Sequence, residues 1–455
     1  MSSELKIFQL KMHEWKTILP LLILLGLDAV VGQFAEVVAT SGFVDQIGIR
    51  QLPWMWIVSM VISVSATLGF VLVVDQSKRV TLMSWVLGGF ILAYGTVALL
   101  LGIQAPDLVV YPLLYIITEV QYIIFPLALW ALAGDLFSLA DSRRMFPVIA
   151  AGAAVGNILG NALAALLAVL FAPTGGGTVW TMSMTALLYG LSLLLIRLTL
   201  ARIPVRARNV AKSPTDSKFL LKLKEDLHVW SDFFKNVPLF SNLAITIFLA
   251  GLGFTILEFY FLRAVDARFT GQPSDFQTFY SLYKILLYSL LWLVQGVLSG
   301  ILVKHTELKR SFTALPLTLG LSLLVMVAFP AFVVVVAGQF IARVVQWGWD
   351  HPSRSVVLGL VPDERRGRIS SFINSFVYAA STLVGSLVIL VFLGLEQTGI
   401  LNQEIGSRLY LILALLTALG AVWFSLRLRD SYEKSLLNWR LARSKRKSVL
   451  DGLKF

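Results

Sequence analysis

Six ionisable residues stand inside long apolar stretches of this sequence: Asp28, Glu36, Glu119, Glu258, Lys284 and Arg343. A charge at the centre of a membrane-spanning helix costs roughly 2.5–3.5 kcal/mol on insertion scales, so each of these residues is a candidate for a function. Buried carboxyls can carry protons, and buried bases can bind anionic groups. This pattern favours solute binding or proton coupling.

Helical spacing groups these charges with polar neighbours. Gln339, Arg343 and Gln346 stand at positions i, i+4 and i+7, which places them on one helix face. The guanidinium of Arg343 offers a fixed fork of donors for phosphate or carboxylate, and Lys284 offers a second positive charge. The predicted substrate-binding or coupling residues are Asp28, Gln33, Glu36, Glu119, Glu258, Lys284, Gln339, Arg343 and Gln346.

A structural interpretation of the same charges stays open. Buried opposite charges can neutralise one another, for example Glu258 with Lys284 or Glu119 with Arg343. Glu36 lies near the end of its predicted span, where water can solvate it. Side-chain amides in neighbouring apolar stretches favour helix–helix hydrogen bonds, and they are Asn157, Asn161 and Asn374.

The elements that carry these residues are predicted to cross a membrane. Hydrophobic residues make up 57% of the 455 residues and charged residues 14%, which is too little polar surface for a soluble globule. A helical crossing needs about 20 apolar residues, and helices satisfy their own backbone groups in lipid. Twelve spans are predicted, at 17–39, 52–74, 81–103, 108–133, 146–171, 179–200, 239–262, 276–303, 312–329, 330–348, 368–394 and 407–427.

The long polar segment from Arg202 to Pro238 divides the chain into halves. The predicted parts are an N-terminal six-helix bundle (1–201), a cytoplasmic linker with an amphipathic helix (202–238), a C-terminal six-helix bundle (239–428) and a basic cytoplasmic tail (429–455). A weak repeat, Asp141-Ser-Arg-Arg and Asp363-Glu-Arg-Arg, follows the fourth and tenth spans. The prediction is an all-α integral membrane protein built from two parallel six-helix repeats, the construction of major-facilitator transporters.

Most of the 38 Lys and Arg residues fall in the loops on one side of the predicted spans, together with both termini. This positive-inside pattern predicts cytoplasmic termini in a bacterial cytoplasmic (inner) membrane, and it accounts for the net charge of +12 without nucleic acid. Acids accompany the bases in several of these loops, so we also predict ion pairs that latch one state of a transport cycle. The latch residues are Asp75, Lys78, Arg79, Asp141, Arg143, Arg144, Asp363, Arg365, Arg366 and Arg368.

Several function classes are disfavoured by the composition. The chain contains no cysteine, which excludes disulfides, thiolate catalysis and Cys-ligated metal. Its four histidines lack metal-ligand spacing, and the sequence contains neither a phosphate loop nor a nucleophile elbow. An enzyme, a resident metal and a cofactor are therefore not expected. We expect a monomer with lipid and a small-molecule solute as partners.

Two segments resemble the ATP/ADP translocase (nucleotide transporter) branch of major-facilitator-type proteins. The first runs from Trp130 to Asp135 and continues through the Arg144 region to Gly160, and the second runs from Asp350 to Asn374. The resemblance implies that spans 1, 4, 7 and 10 line a central cavity, and that Arg343, assisted by Lys284, binds phosphate. Members of that family have a lysine in the first span. The first span of this chain departs from the pattern because it contains Asp28, Gln33 and Glu36 and no lysine.

The sequence thus predicts a secondary active transporter that moves a small polar or phosphorylated solute by alternating access, as a proton-coupled symporter or antiporter or as an exchanger. One alternative is a nucleotide antiporter of the ATP/ADP type. An alternative of another class is a lipid scramblase or a non-transporting membrane sensor, in which the buried charges are structural.

Overall fold

A computed structural model of the protein describes residues 12–74, 77–137, 139–171, 177–200, 238–295, 308–358, 373 and 376–450. Within these ranges every regular element is a helix, which confirms the predicted fold class. The helices up to residue 200 are α1 Met12–Gln46, α2 Leu52–Val74, α3 Arg79–Gly102, α4 Asp107–Leu136, α5 Leu139–Phe171 and α6 Gly177–Thr199. Those that follow are α7 Pro238–Arg268, α8 Pro273–Leu293, α9 Leu308–Ala328, α10 (described next), α11 Val377–Gln397 and α12 Gln403–Leu450.

Helix α10 has three parts, which we treat as one element. An α-helix at Phe332–Val345 is followed by one π-helical turn at Gln346–Asp350 and a short α-helix at His351–Leu358. A π turn inserts an extra residue into the helical repeat and often occurs at functional sites. Here it begins at Gln346, the last of the three polar residues predicted to share one helix face.

Eleven of the described helices are long and apolar enough to cross a membrane. The exception is α8, whose described residues end at 295 although the span predicted there continues to 303. Large apolar side chains are exposed on the helices whose cores lack charge, as at Trp85 and Leu92 of α3. Such surfaces are stable only in lipid, so the chain is an integral membrane protein.

Helices α1 and α12 extend well beyond their predicted spans. Helix α1 begins before the predicted residue 17 and continues past the predicted residue 39 to Gln46, so Glu36 lies well inside it. Helix α12 continues through the predicted tail to Leu450. Polar residues can extend a spanning helix beyond the apolar core, where hydropathy no longer marks its end.

The helices form two compact units. The first contains α1 to α6 together with residues 266–289, and the second contains residues 238–265 and the described residues from Leu290 onward. The predicted domain boundaries stay a prediction. The predicted linker at 202–237 lies outside the described residues.

In the first unit, α1 is the central helix, packing against α4, α5 and α6. It approaches α5 closely because α5 presents Gly152, Gly156 and Gly160 to the backbone of α1. A Cβ atom built at Gly160 would lie 2.6 Å from the carbonyl oxygen of Val30. Small residues at this spacing allow such a close approach in membranes.

In the second unit, α7 is mostly buried, and its small residues meet those of α11. A Cβ atom at Gly385 would lie 2.8 Å from the Cβ of Thr255, and one at Gly251 would clash with the side chain of Ser381. Helix α9 packs against α10 and α12. The two mostly buried helices, α1 and α7, therefore carry ionisable residues through the interior of their units.

Candidate functional site

The first unit contains a buried ion pair between Lys284 of α8 and Glu36 of α1. The side chain of Lys284 is 7% exposed and that of Glu36 is 29% exposed. The hydroxyl of Tyr122 donates a hydrogen bond of 2.7 Å to the second carboxylate oxygen of Glu36. The ammonium also lies 4.9 Å from the ring centre of Tyr280, within the range of a cation–π contact.

Gln33 connects this ion pair to α5 through hydrogen bonds. Its amide nitrogen donates to the hydroxyls of Tyr122 at 2.8 Å and Tyr288 at 3.2 Å. Its amide oxygen accepts a hydrogen bond of 2.8 Å from Nδ2 of Asn161. Gln33 is 1% exposed, and four helices meet at its side chain. This confirms the helix–helix hydrogen bond predicted for Asn161.

Glu119 of α4 is half-buried in the same region, where it interacts electrostatically with Glu36 and Lys284. It forms neither a hydrogen bond nor an ion pair with any residue that the structure describes. We name Glu36, Glu119 and Lys284 the three-charge cluster. It holds two carboxyls and one ammonium.

Asp28 lies about two turns before Glu36 on α1, in a separate buried pocket. Its Oδ1 accepts hydrogen bonds from the Tyr189 hydroxyl at 2.7 Å and from Nε2 of Gln121 at 3.1 Å. The Gln121 oxygen in turn accepts a hydrogen bond from Tyr94. Asp28 is 6% exposed and makes no ion pair with the described part of the chain.

The second unit contains a buried cluster around Glu258 of α7, which we name the Glu258–Arg343 pair. One carboxylate oxygen accepts hydrogen bonds from the amide of Gln339 and from the guanidinium of Arg343. A second nitrogen of Arg343 donates to Oε1 of Gln346 at 2.8 Å. The guanidinium also lies 5.1 Å from the ring centre of Phe254. Both charged side chains are about one-fifth exposed, at 19% for the base and 20% for the acid.

Opposite charges do pair, although the pairings suggested from sequence are wrong. The structure joins Lys284 to Glu36 instead of Glu258, and Arg343 to Glu258 instead of Glu119. Glu36 is not solvated at a helix end, because α1 continues to Gln46 and the carboxylate is paired. Spacing along one helix fixes its faces but cannot tell which helix lies opposite.

Part of the predicted latch is described. One acid partner of its bases, Asp141, was assigned to the latch from sequence, whereas Asp135 and Glu14 were not. Arg79 pairs with Asp135 at 2.9 Å. Arg144 pairs with Glu14 at 2.6 Å and with Asp141 at 3.1 Å. Lys78 is exposed. The remaining latch residues fall on positions whose backbone or side chain lies outside the described residues, and they are Asp75, Arg143, Asp363, Arg365, Arg366 and Arg368.

Two further polar groups were missed. The partners of Asp28, which are tyrosine and glutamine residues, carried no signal beyond their placement in apolar stretches. Arg263 forms a two-pronged ion pair with Glu396, at 3.1 and 3.0 Å. It was assigned to a loop because the predicted span ended at residue 262, whereas α7 continues to Arg268. An arginine one residue beyond a predicted span can still lie inside the helix.

The family profile described as Major Facilitator Superfamily matches residues 124–386, more than half of the chain. The chain belongs to the major facilitator superfamily. It is therefore a membrane transporter and not an enzyme. No curated protein sequence matches it.

Solved structures of this superfamily show the same fold along nearly the whole chain. A bacterial homologue of the iron transporter ferroportin, in an inward-facing state, is 14% identical with a TM-score of 0.65, covering 92% of this chain and 100% of that one. The nucleoside transporter NupG is 14% identical with a TM-score of 0.62, covering 91% and 98%. A peptide transporter, POT, in complex with sulfate is 13% identical with a TM-score of 0.63, covering 91% and 95%. At these identities the similarity shows the fold alone.

Proposed function

We propose that this superfamily member is a secondary active transporter of a small polar solute, working by alternating access with coupling to protons or by exchange. The observation that supports the proposal most strongly is that ionisable residues from the apolar stretches form ion pairs in both units, Glu36 with Lys284 and Glu258 with Arg343. Glu36, Glu258 and Arg343 lie on helices that are long and apolar enough to cross a membrane. All nine predicted site residues belong to these pairs, to their immediate surroundings or to the Asp28 pocket.

Such ion pairs suit a transport cycle because a charged group of the solute can replace one of the two partners. Breaking a buried ion pair without replacement costs about 3–5 kcal/mol, since the remaining charge is left uncompensated. A solute that supplies the missing charge removes this cost. A solute can shift a conformational equilibrium only by binding its states with different affinity, and partner exchange provides that difference.

Asp28 is the proposed coupling residue. Unlike Glu36 and Glu258, it has hydrogen-bonding neighbours but no cation among the described residues. A carboxyl in this setting can gain or lose a proton without breaking an ion pair. Proton-coupled symport or antiport would then use the Asp28 pocket while the charge pairs bind the solute.

The ion pairs of Arg79 and Arg144 support a latch that stabilises one state of the cycle. Each joins two different helices, so helix movement must break or reform it. Surface pairs are worth little, but the Arg79 side chain is only 9% exposed. Placement in a bacterial inner membrane, cytoplasmic termini and a monomeric state complete the proposal.

A nucleotide or phosphorylated solute, exchanged as in ATP/ADP translocases, is the second candidate. The fork of donors on Arg343 fits phosphate, and one structural neighbour is a transporter in complex with sulfate. However, Arg343 and Lys284 are already neutralised by carboxylates. A phosphate must displace Glu258 or Glu36 to reach them, which makes this candidate weaker than a less highly charged solute.

A lipid scramblase or a non-transporting sensor would use the same pairs only for stability. Thermal unfolding of the purified protein with candidate solutes separates these functions, because a ligand that binds the folded state raises its apparent stability. Solute-dependent stabilisation, together with saturable uptake into proteoliposomes, is the result expected for a transporter. Lipid exchange between leaflets without either effect would contradict the proposal.

A further inference from the structure

The three-charge cluster has an unbalanced charge. Glu36 has two partners, the ammonium of Lys284 and the hydroxyl of Tyr122, whereas Glu119 has no hydrogen-bonding or ion-pairing partner among the described residues. A single ammonium therefore neutralises only one of two neighbouring carboxyls. A half-buried carboxyl without a partner can be satisfied by a proton or by an external cation, so Glu119 is the group of this cluster that is available to a positively charged solute.

Asn161 supplies a second acceptor without a described partner, next to Gln33. Its Nδ2 donates both to Gln33 and to the carbonyl oxygen of Asn157, which fixes the orientation of the amide. Its Oδ1 is fully buried and accepts no hydrogen bond from the described residues. An amide oxygen can only accept, so its absent partner is a donor.

Aromatic faces line the same cluster. The contact between Lys284 and the Tyr280 ring shows that a ring face here accommodates an ammonium. Tyr122 lies one helical turn after Glu119 and also contacts Glu36. Carboxylate, amide oxygen and aromatic faces together are the usual surroundings of a bound organic cation.

We propose that the transported solute carries a protonated amine, and that Glu119 binds its ammonium group. This inference rests on the proposed transport function and specifies the chemical class of the solute. The two groups named above, the carboxyl of Glu119 and the amide oxygen of Asn161, accept hydrogen bonds, and the carboxyl can carry a negative charge. Both properties match an ammonium and oppose a phosphate. An amino group on an otherwise polar solute is the shared feature of this class.

The test uses the full-length protein purified in detergent and matched solutes that differ in one group. Glucosamine, glucose and glucose phosphate form one set, and putrescine with the diol of the same length forms another. Apparent melting temperature is measured for the wild type, Glu119→Gln and a control, Glu404→Gln. Glu404 is a suitable control because it is an exposed carboxylate whose partner, Arg408, lies on its own helix.

The expected result is stabilisation of the wild type and the control by at least one amine but not by its neutral or phosphorylated counterpart. Affinity of Glu119→Gln for that amine should fall by roughly tenfold to a hundredfold, as expected for a lost charge-assisted hydrogen bond. Equal binding by Glu119→Gln, or stabilisation by phosphorylated solutes alone, would overturn the inference. Absence of stabilisation by every amine would overturn it as well.

A second variant, Lys284→Ala, should change the affinity for amines in the opposite direction. Lys284→Ala removes the internal ammonium and leaves two carboxyls, so exogenous amines should bind it more tightly than they bind the wild type. If Lys284→Ala binds amines no better than the wild type, the cluster does not compete for an ammonium and the inference fails. Uptake assays distinguish this failure from failure of the transport proposal. Saturable uptake of a phosphorylated solute would show that the protein is a transporter although its solute is not an amine.

Discussion

Arg343 can be tested for structural and functional roles separately, because its ion pair with Glu258 can be removed one partner at a time. Arg343→Gln leaves Glu258 without a cation and should destabilise the protein by about 3–5 kcal/mol, the usual cost of a broken buried pair. The double variant Glu258→Gln with Arg343→Gln removes both charges and should recover most of that stability. Fluorescence-detected size exclusion after heating measures both effects.

Transport distinguishes the two interpretations of this pair. If it binds the solute, the double variant should be stable but should lose uptake by at least about a hundredfold, as expected when charged contacts are lost. A double variant that folds and transports like the wild type would show that the pair is structural.

Asp28→Asn should uncouple transport from protons without unfolding the protein. Asparagine keeps an oxygen that can accept the hydrogen bond of Tyr189, but it cannot carry a proton on that oxygen. We expect exchange of solute at nearly the wild-type rate and loss of accumulation driven by a pH gradient. Accumulation that persists in Asp28→Asn would exclude this residue as the coupling carboxyl.

How much of the site could be predicted differs between its residues. Charge inside an apolar stretch was enough to find Asp28, Glu258, Lys284 and Arg343, because insertion into lipid makes such residues rare. Their partners could not be deduced. A pairing across helices depends on how the helices pack, and residue spacing within one helix carries no information about that packing. The tyrosine that contacts Asp28 is an ordinary residue in an apolar span, and only its position reveals its role.

At the scale of elements, the contact between α1 and α5 should be the packing interface most sensitive to added volume. A Cβ atom at Gly156 would lie 2.8 Å from the Cβ of Ala29 and would clash with the carbonyl oxygen of Gly26. Gly156→Ala should therefore cost about 1–3 kcal/mol through overpacking. The expected result is a lower melting temperature and lower yield of folded protein.

Gly89→Ala is the matched control for that substitution. Gly89 lies on α3 with no heavy atom within 4 Å of a built Cβ, so the same change adds a methyl group to open space. Equal stability of the two variants would mean that α1 and α5 do not depend on close contact.

The order of the described helices was predictable, whereas several of their ends were not. Hydropathy identifies residues that must lie in lipid, but α1, α7 and α12 continue into polar sequence where hydrogen bonding and packing decide the boundary. The π turn in α10 has no hydropathy signal. It nevertheless places Gln346 against Arg343, three residues earlier in the chain.

At the scale of the whole molecule, the proposed orientation can be tested with single cysteines, because the chain contains none. Lys78 and Thr270 are both exposed, and they lie at loops predicted to face opposite sides of the membrane. A membrane-impermeant thiol reagent added to intact cells should label Thr270→Cys but not Lys78→Cys. Lysed cells provide the control in which both sites react, and the reverse pattern in intact cells would contradict cytoplasmic termini.

The fold class followed from composition and charge placement, since both are set by the lipid environment over the whole chain. The solute did not follow, because proteins that share this fold need not share a substrate. The charge balance of the three-charge cluster is what restricts the chemical class of the solute. It could be recognised only from the structure, because the three residues of the cluster come from three different helices.

Uptake by proteoliposomes tests the central claim most directly. Labelled amines, neutral analogues, phosphorylated metabolites and ATP or ADP are offered with and without a pH gradient or internal solute, to the wild type and to the stable double variant of Glu258 and Arg343. The account predicts saturable uptake of at least one polar solute, increased by the gradient or by internal solute and absent in the double variant. Uptake that is equal in both proteins, or movement of lipid without any solute, would contradict it.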